Sequence, residues 1–183
     1  MKNSDSNTGW RSPPIGLLRA SKLYLWLTDS GSLSARIQQH FAHFNLVRLN
    51  QKLASPHADE AALLGVRMST GVLVREVILR DGDTPLIFAH TVVARDAAQG
   101  AWHALRKLGT RPLAQLLFND KQIVSGHLSF RHLNTAHPLM AKIKSALPQL
   151  APQRYWARRR VFEKAGQRLI VTEVFLSAIT EAK

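Results

Sequence analysis

The stretch that decides the fold is residues 72–94: VLVREVILR (72–80), DGDT (81–84) and PLIFAHTVVA (85–94). Two segments rich in β-branched and aromatic residues flank a Gly-containing turn, the signature of an antiparallel hairpin. A turn symmetric about Gly82-Asp83 sets Arg75 opposite His90. Side chains alternate along a strand, so Arg75 shares its face with Leu73, Val77 and Leu79.

The same pattern returns near the C-terminus. RYWARRRVFE (154–163), KAGQ (164–167) and RLIVTEVFLSA (168–178) read as strand, turn and strand. Glu173 shares a face with Leu169, Val171 and Phe175. A two-residue turn at Ala165-Gly166 sets Glu173 opposite Arg158, whereas a three-residue turn slips that register by one. A charge among apolar neighbours costs several kcal/mol in order of magnitude unless it is paired or neutralised. Arg75 and Glu173 therefore require partners, either each other's neighbours in a structural ion pair or a bound ligand. If the hairpins share one sheet, Arg75, His90, Arg158 and Glu173 face a common space, which suits an anion with more than one carboxylate.

Outward from the hairpins, residues 45–53 and 122–133 read as further strands. Helical spacing covers 16–28, a second helix capped by Ser32 or Ser34 with Ile37, Phe41 and Phe44 as apolar positions, 99–107 ending at Gly109, 113–118 after Pro112, and 136–147. Residues 54–69 read as a loop with one helical turn. Five or six strands, mostly hairpin-joined, with helices between them imply a single α+β domain: an antiparallel sheet covered by helices. Residues 1–14 (MKNSDSNTGWRSPP) read as a flexible leader and 15–183 as the domain.

Composition bounds the chemistry. The 183 residues are 45% apolar, enough for a core without staples. There is no cysteine, which excludes a disulfide framework, a thiolate metal site and a cysteine nucleophile. Lys plus Arg is 25 against 12 Asp plus Glu, a formal charge of +13, which favours an anionic partner. The N-terminus lacks a signal-peptide core, and no apolar run approaches the roughly 20 residues of a membrane span. A soluble, cytoplasmic monomer is expected.

The usual motifs are absent: no GxSxG, GxGxxG, P-loop or HExxH. His40 and His43 form H-x-x-H without an acidic third ligand, and His127, His132 and His137 follow one another at intervals of five. These spacings do not make a metal site, and neither metal nor cofactor is expected. In Arg158-Arg159-Arg160, strand alternation turns Arg158 and Arg160 one way, with Trp156, and Arg159 the other. A nucleic-acid stripe needs more basic residues on one face, so no nucleic-acid partner is expected.

Five blocks together resemble the chorismate lyase family of bacterial ubiquinone synthesis: WLTDSGSLSARI (26–37), VREVILRDGDTPLIFAHTVV (74–93), KLGTRPLAQLLF (107–118), YWARRR (155–160) and GQRLIVTEVFL (166–176). The resemblance implies a six-stranded antiparallel sheet with two helical flaps over a buried ligand. It implies an enzyme that splits chorismate into 4-hydroxybenzoate and pyruvate without a cofactor. It places a carboxylate-binding arginine at Arg75, a buried glutamate near the ring hydroxyl at Glu173, and main-chain flap contacts at Leu113 and Leu33. The family pattern has methionine where this chain has Leu33, and Gly-Arg where it has Ala89-His90. Glu173 is either a general base or a group that orients the 4-hydroxyl. Arg158 and His90 are candidates for the second carboxylate or the leaving enolpyruvate. The competing reading is a non-enzymatic ligand sensor, because effector domains of GntR-type regulators resemble the same fold. Those chains carry an N-terminal winged helix, for which residues 1–25 leave no room.

Overall fold

The computed structural model describes residues 9–11 and 21–180. Seven strands form one antiparallel sheet: β1 (Phe44–Ala54), β2 (Val72–Asp81), β3 (Thr84–Ala94), β4 (Val124–Ser125), β5 (Ser129–Leu133), β6 (Tyr155–Lys164) and β7 (Gln167–Phe175). Their order is β1-β2-β3-β7-β6-β4, and β5 pairs with a second stretch of β6. The strand expected over 122–133 is thus two strands. Between them the Gly126 N–H donates to the Val161 carbonyl. A Cβ on Gly126 would lie 3.1 Å from that oxygen, so a larger residue would push the strand back by a few tenths of an ångström.

The described residues also form six α-helices: α1 (Lys22–Thr28), α2 (Leu33–His40), α3 (Ala58–Leu64), α4 (Arg95–Gln99), α5 (Ala114–Asn119) and α6 (Pro138–Ala146). Ser32, rather than Ser34, caps α2 by accepting the Ala35 N–H. Phe41 is its C-cap and Phe44 opens β1, so those two are not helical positions. The expected loop at 54–69 holds the seven-residue α3, stopped by Gly65 at φ 70°. The helix expected over 99–107 is α4 followed, after Gly100, by a 3-10 turn at His103–Lys107. Of the expected leader, residues 1–8 and 12–14 lie outside the described residues. Within it Trp10 is buried and Arg11 pairs with Phe130.

Both faces of the central strands are covered, which is why Val72–Leu79 of β2 are buried without alternation. On the front, α1 and α2 bury Trp26, Leu27, Leu33 and Ile37 against Val77, Leu79 and Phe175. Also on the front, Trp102, Leu105 and Leu117 pack on Leu73 and Leu169. On the back, Leu139, Met140 and Ile143 of α6 pack on Ile78, Phe88 and Val174. No helix among the described residues is long and apolar enough to cross a membrane.

The two hairpins set the site. In β6–β7 the turn is the two-residue Ala165-Gly166, at φ 49° and 72°, and Arg158 stands opposite Glu173 as the sequence register requires. In β2–β3 the register changes part-way. Asp81 pairs with Thr84 and Arg80 with Pro85, but Leu79 pairs with Ile87, leaving Leu86 as a bulge. Pro85 has no N–H for the ladder, and bulges accommodate such residues. Beyond the bulge Arg75 stands opposite Thr91, and His90 opposite Glu76. The expected Arg75–His90 pairing is therefore replaced, and the two side chains lie on opposite faces of the sheet.

Candidate active site

A cavity of about 660 Å³, counting its open mouth, lies between the front of the sheet and helices α2 and α5. Its floor carries Arg75, Val77 and Leu79 from β2, Ala89 and Thr91 from β3, and Val171 and Glu173 from β7. Leu33 and Ser34 of α2 cover one side, and Leu113, Leu117 and Phe118 at α5 the other. The two helices meet each other. Of the sequence-expected site residues, Arg75, Glu173, Arg158, Leu33 and Leu113 line this one cavity.

Arg75 is 1% exposed, with its Nη2 donating to the carbonyls of Gly109 and Arg111 at 3.1 Å each. Its Nε is buried without a hydrogen-bond partner. Burial, and then the positive charge of Arg48, push this guanidinium down to about 10, so it remains a cation near neutrality. Among the described residues no carboxylate pairs with it. A buried cation without a counter-charge is costly, and an anion entering the cavity removes that cost.

Glu173 is held from the next strand. Arg158 Nε donates to Glu173 Oε2 at 2.5 Å. Arg158 Nη1 donates to the carbonyls of Trp26 and Asp29 at 3.3 and 2.6 Å. The buried Arg158 thus ties the carboxylate to the end of α1. Arg160 was not among the expected site residues. It also lines the cavity, its Nη1 donates to the Ser30 carbonyl at 2.8 Å, and its Nε is buried without a partner. Strand alternation from Arg158 was the available signal. Three arginines and one glutamate line the cavity, a net charge of two positive units. Arg159, on the back, donates to Asp59 at 2.7 Å and sits 4.0 Å over the Trp10 ring. The basic run is therefore engaged within the molecule.

His90 is not in the cavity. On the back of the sheet it is 1% exposed, with Nδ1 2.9 Å from Glu76 Oε1 and Nε2 3.1 Å from Glu60 Oε1. Lys142 Nζ lies 2.6 Å from Glu76 Oε1, and Asn50 Nδ2 donates to Glu76 Oε2. Burial opposes the charge on Glu76, but these neighbours outweigh it and hold its carboxyl at about 2. His57, on the loop before α3, stacks on His90 with ring centroids 5.5 Å apart.

A family model described as chorismate lyase matches residues 6–182. A Nitrosospira multiformis protein called probable chorismate pyruvate-lyase is 41% identical over 180 residues, 98% of either chain. A Nitrosomonas europaea protein of the same description is 39% identical over 170 residues, 93% of this chain and 94% of its own. Among solved structures, the C-terminal domain of the histidine utilization repressor from Pseudomonas syringae superposes with TM-score 0.57 at 17% identity, over 74% of this chain and 92% of that one. The ligand-binding domain of a putative GntR-family transcriptional regulator from Bordetella bronchiseptica gives 0.52 at 15% identity, over 73% and 84%. These last two likenesses establish a shared fold and nothing about activity.

Proposed function

The chain belongs to the chorismate lyase family, a family of enzymes acting on a small molecule, and from that premise we propose that it splits chorismate into 4-hydroxybenzoate and pyruvate in ubiquinone synthesis. The observation that carries the reading is Arg75: a buried guanidinium with an unpartnered Nε at the floor of the cavity. Chorismate is a dianion, and its two carboxylates match the two net positive charges of the lining.

Arg75 receives the ring carboxylate through a charge-assisted pair. Glu173 lies two strands away and two residues along, about 12 Å between Cα atoms from strand spacings. That separation leaves room for a six-membered ring between the side-chain tips and sets Glu173 at the 4-hydroxyl end. Arg160, with its own unpartnered Nε, is assigned the enolpyruvyl carboxylate. Arg158 spends its Nε and Nη1 on Glu173 and the α1 carbonyls, so it serves as a positioning residue. The main chain at Leu33 and Leu113 contacts the ligand from the two flaps.

The reaction is an elimination. The ring C–H bearing the hydroxyl loses its proton, its electron pair enters the ring, and the neighbouring C–O bond breaks to release enolpyruvate. Enolpyruvate takes up a proton on carbon and becomes pyruvate, so atoms balance without oxidant or reductant. Aromatisation drives the step, which leaves the protein to orient a flexible dianion and exclude water. Glu173, oriented by Arg158, accepts the 4-hydroxyl hydrogen bond or the ring proton. The test is incubation of the purified chain with chorismate under an absorbance scan. Appearance of 4-hydroxybenzoate with an equal amount of pyruvate supports the reading; ligand binding without turnover would instead identify a sensor.

A further inference from the structure

Behind the sheet, away from the cavity, two side chains at the start of α3 meet one from β3. We propose that His57, Glu60 and His90 form a binding site for a divalent transition-metal ion of the zinc class. His57 Nδ1, Glu60 Oε1 and His90 Nε2 lie within 4.8 Å of one another. Each of these three atoms is buried without a hydrogen bond of standard geometry, the His57 ring also facing the Glu60 backbone N–H in a capping-box arrangement. Glu60 Oε1 is 3.2 Å from His57 Nδ1 and 3.1 Å from His90 Nε2, yet neither contact has hydrogen-bond geometry. The atoms stand side by side instead of pointing at each other. Two donors bound to zinc at about 2.0–2.1 Å and a tetrahedral angle lie roughly 3.3 Å apart, close to both separations.

The remaining polar atoms of His90 and Glu60 are already committed in the way a metal site requires. His90 Nδ1 lies 2.9 Å from Glu76 Oε1. Donation of its proton there leaves the Nε2 lone pair facing the other two donors, the carboxylate–histidine–metal arrangement. Glu76 is fixed in turn by Lys142 and Asn50. Glu60 Oε2 accepts the His57 backbone N–H at 2.9 Å, which leaves Oε1 for the ion. Two imidazoles and one carboxylate, with no thiolate, select zinc, cobalt or nickel over calcium or magnesium. His57 is the most exposed of the three, its side chain at 20%, so the ion enters from that side.

Such an ion ties the start of α3 to β3 and lies on the opposite face of the sheet from the cavity. Its role is to stabilise the fold, with no part in the elimination. The test uses the whole chain after chelator treatment and dialysis, titrated with ZnCl₂ by calorimetry and with CoCl₂ in the visible range. The expected result is one equivalent of zinc, a tetrahedral cobalt absorption band, and a melting temperature several degrees higher at about 100 times Kd. His57→Ala, at the partly exposed position, and Glu60→Gln are each expected to weaken binding by about tenfold or more. Absence of the cobalt band and of any melting shift would overturn the proposal and leave a His90–carboxylate hydrogen-bond cluster. Zinc affinity undiminished in both variants would overturn it equally, assigning the ion to surface histidines.

Discussion

Arg158 reaches Glu173 across the β6–β7 pair and, with the same guanidinium, holds the carbonyls that end α1. The position of the cavity carboxylate and the position of the segment leading into α2 are thereby coupled. A shift at either end changes the other, because one rigid planar group serves both.

Arg158→Met leaves Glu173 without its counter-charge and frees the end of α1. Breaking a largely buried pair from one side costs about 3–5 kcal/mol, read as a fall in the urea midpoint. KM for chorismate should rise along with it, because the flap loses its anchor. A variant with wild-type stability and KM would contradict the coupling.

Glu173→Gln keeps the shape and an acceptor for Arg158 but removes the ionisable group. With Glu173 as base, kcat falls by roughly 10²–10⁴-fold while 4-hydroxybenzoate binding changes little. With Glu173 as an orienting acceptor, the amide oxygen substitutes and the fall is modest. Kinetics and product titration on this one variant separate the roles; unchanged kcat would remove Glu173 from the reaction.

Ser32→Ala removes the side-chain oxygen that accepts the Ala35 N–H at the start of α2. The expected cost is about 0.5–2 kcal/mol of stability. Because α2 carries Leu33 and Ser34 against the cavity, faster product release in stopped-flow displacement should accompany the lost stability. Release at the wild-type rate would mean α2 is not a flap.

His90→Gln acts on the back of the sheet. Glu76 loses the buried hydrogen bond with His90 Nδ1, and stability should fall by roughly 1–3 kcal/mol in chemical denaturation. Affinity for 4-hydroxybenzoate should stay at the wild-type value. A change in product affinity comparable to that of a cavity variant would place His90 back in the site.

The α+β class, the two hairpins and most helices were legible because periodicity and turn residues act locally. Arg158 opposite Glu173 was legible too, since Ala165-Gly166 forms a two-residue turn and nothing interrupts the ladder after it. Arg75 opposite His90 was not, because one bulge at Leu86 reverses the facing of every later residue. Pro85, one residue past the turn, was the available warning. His57 and Glu60 stand three residues apart at the start of α3, but their meeting with His90 had no local signal, because α3 and β3 come together through the packing of the back face.

In the proposed reaction the uncompensated charge of Arg75 receives a carboxylate. The most direct measurement is a binding cycle of wild type and Arg75→Ala, each titrated with 4-hydroxybenzoate and with its neutral analogue 4-hydroxybenzamide. Loss of one charge-assisted contact should cost roughly 1.5–3 kcal/mol, about 10- to 150-fold in affinity, for the carboxylate alone. The amide should bind the two proteins alike. Equal affinity of both proteins for 4-hydroxybenzoate, or an equal loss for acid and amide, would remove Arg75 from carboxylate binding.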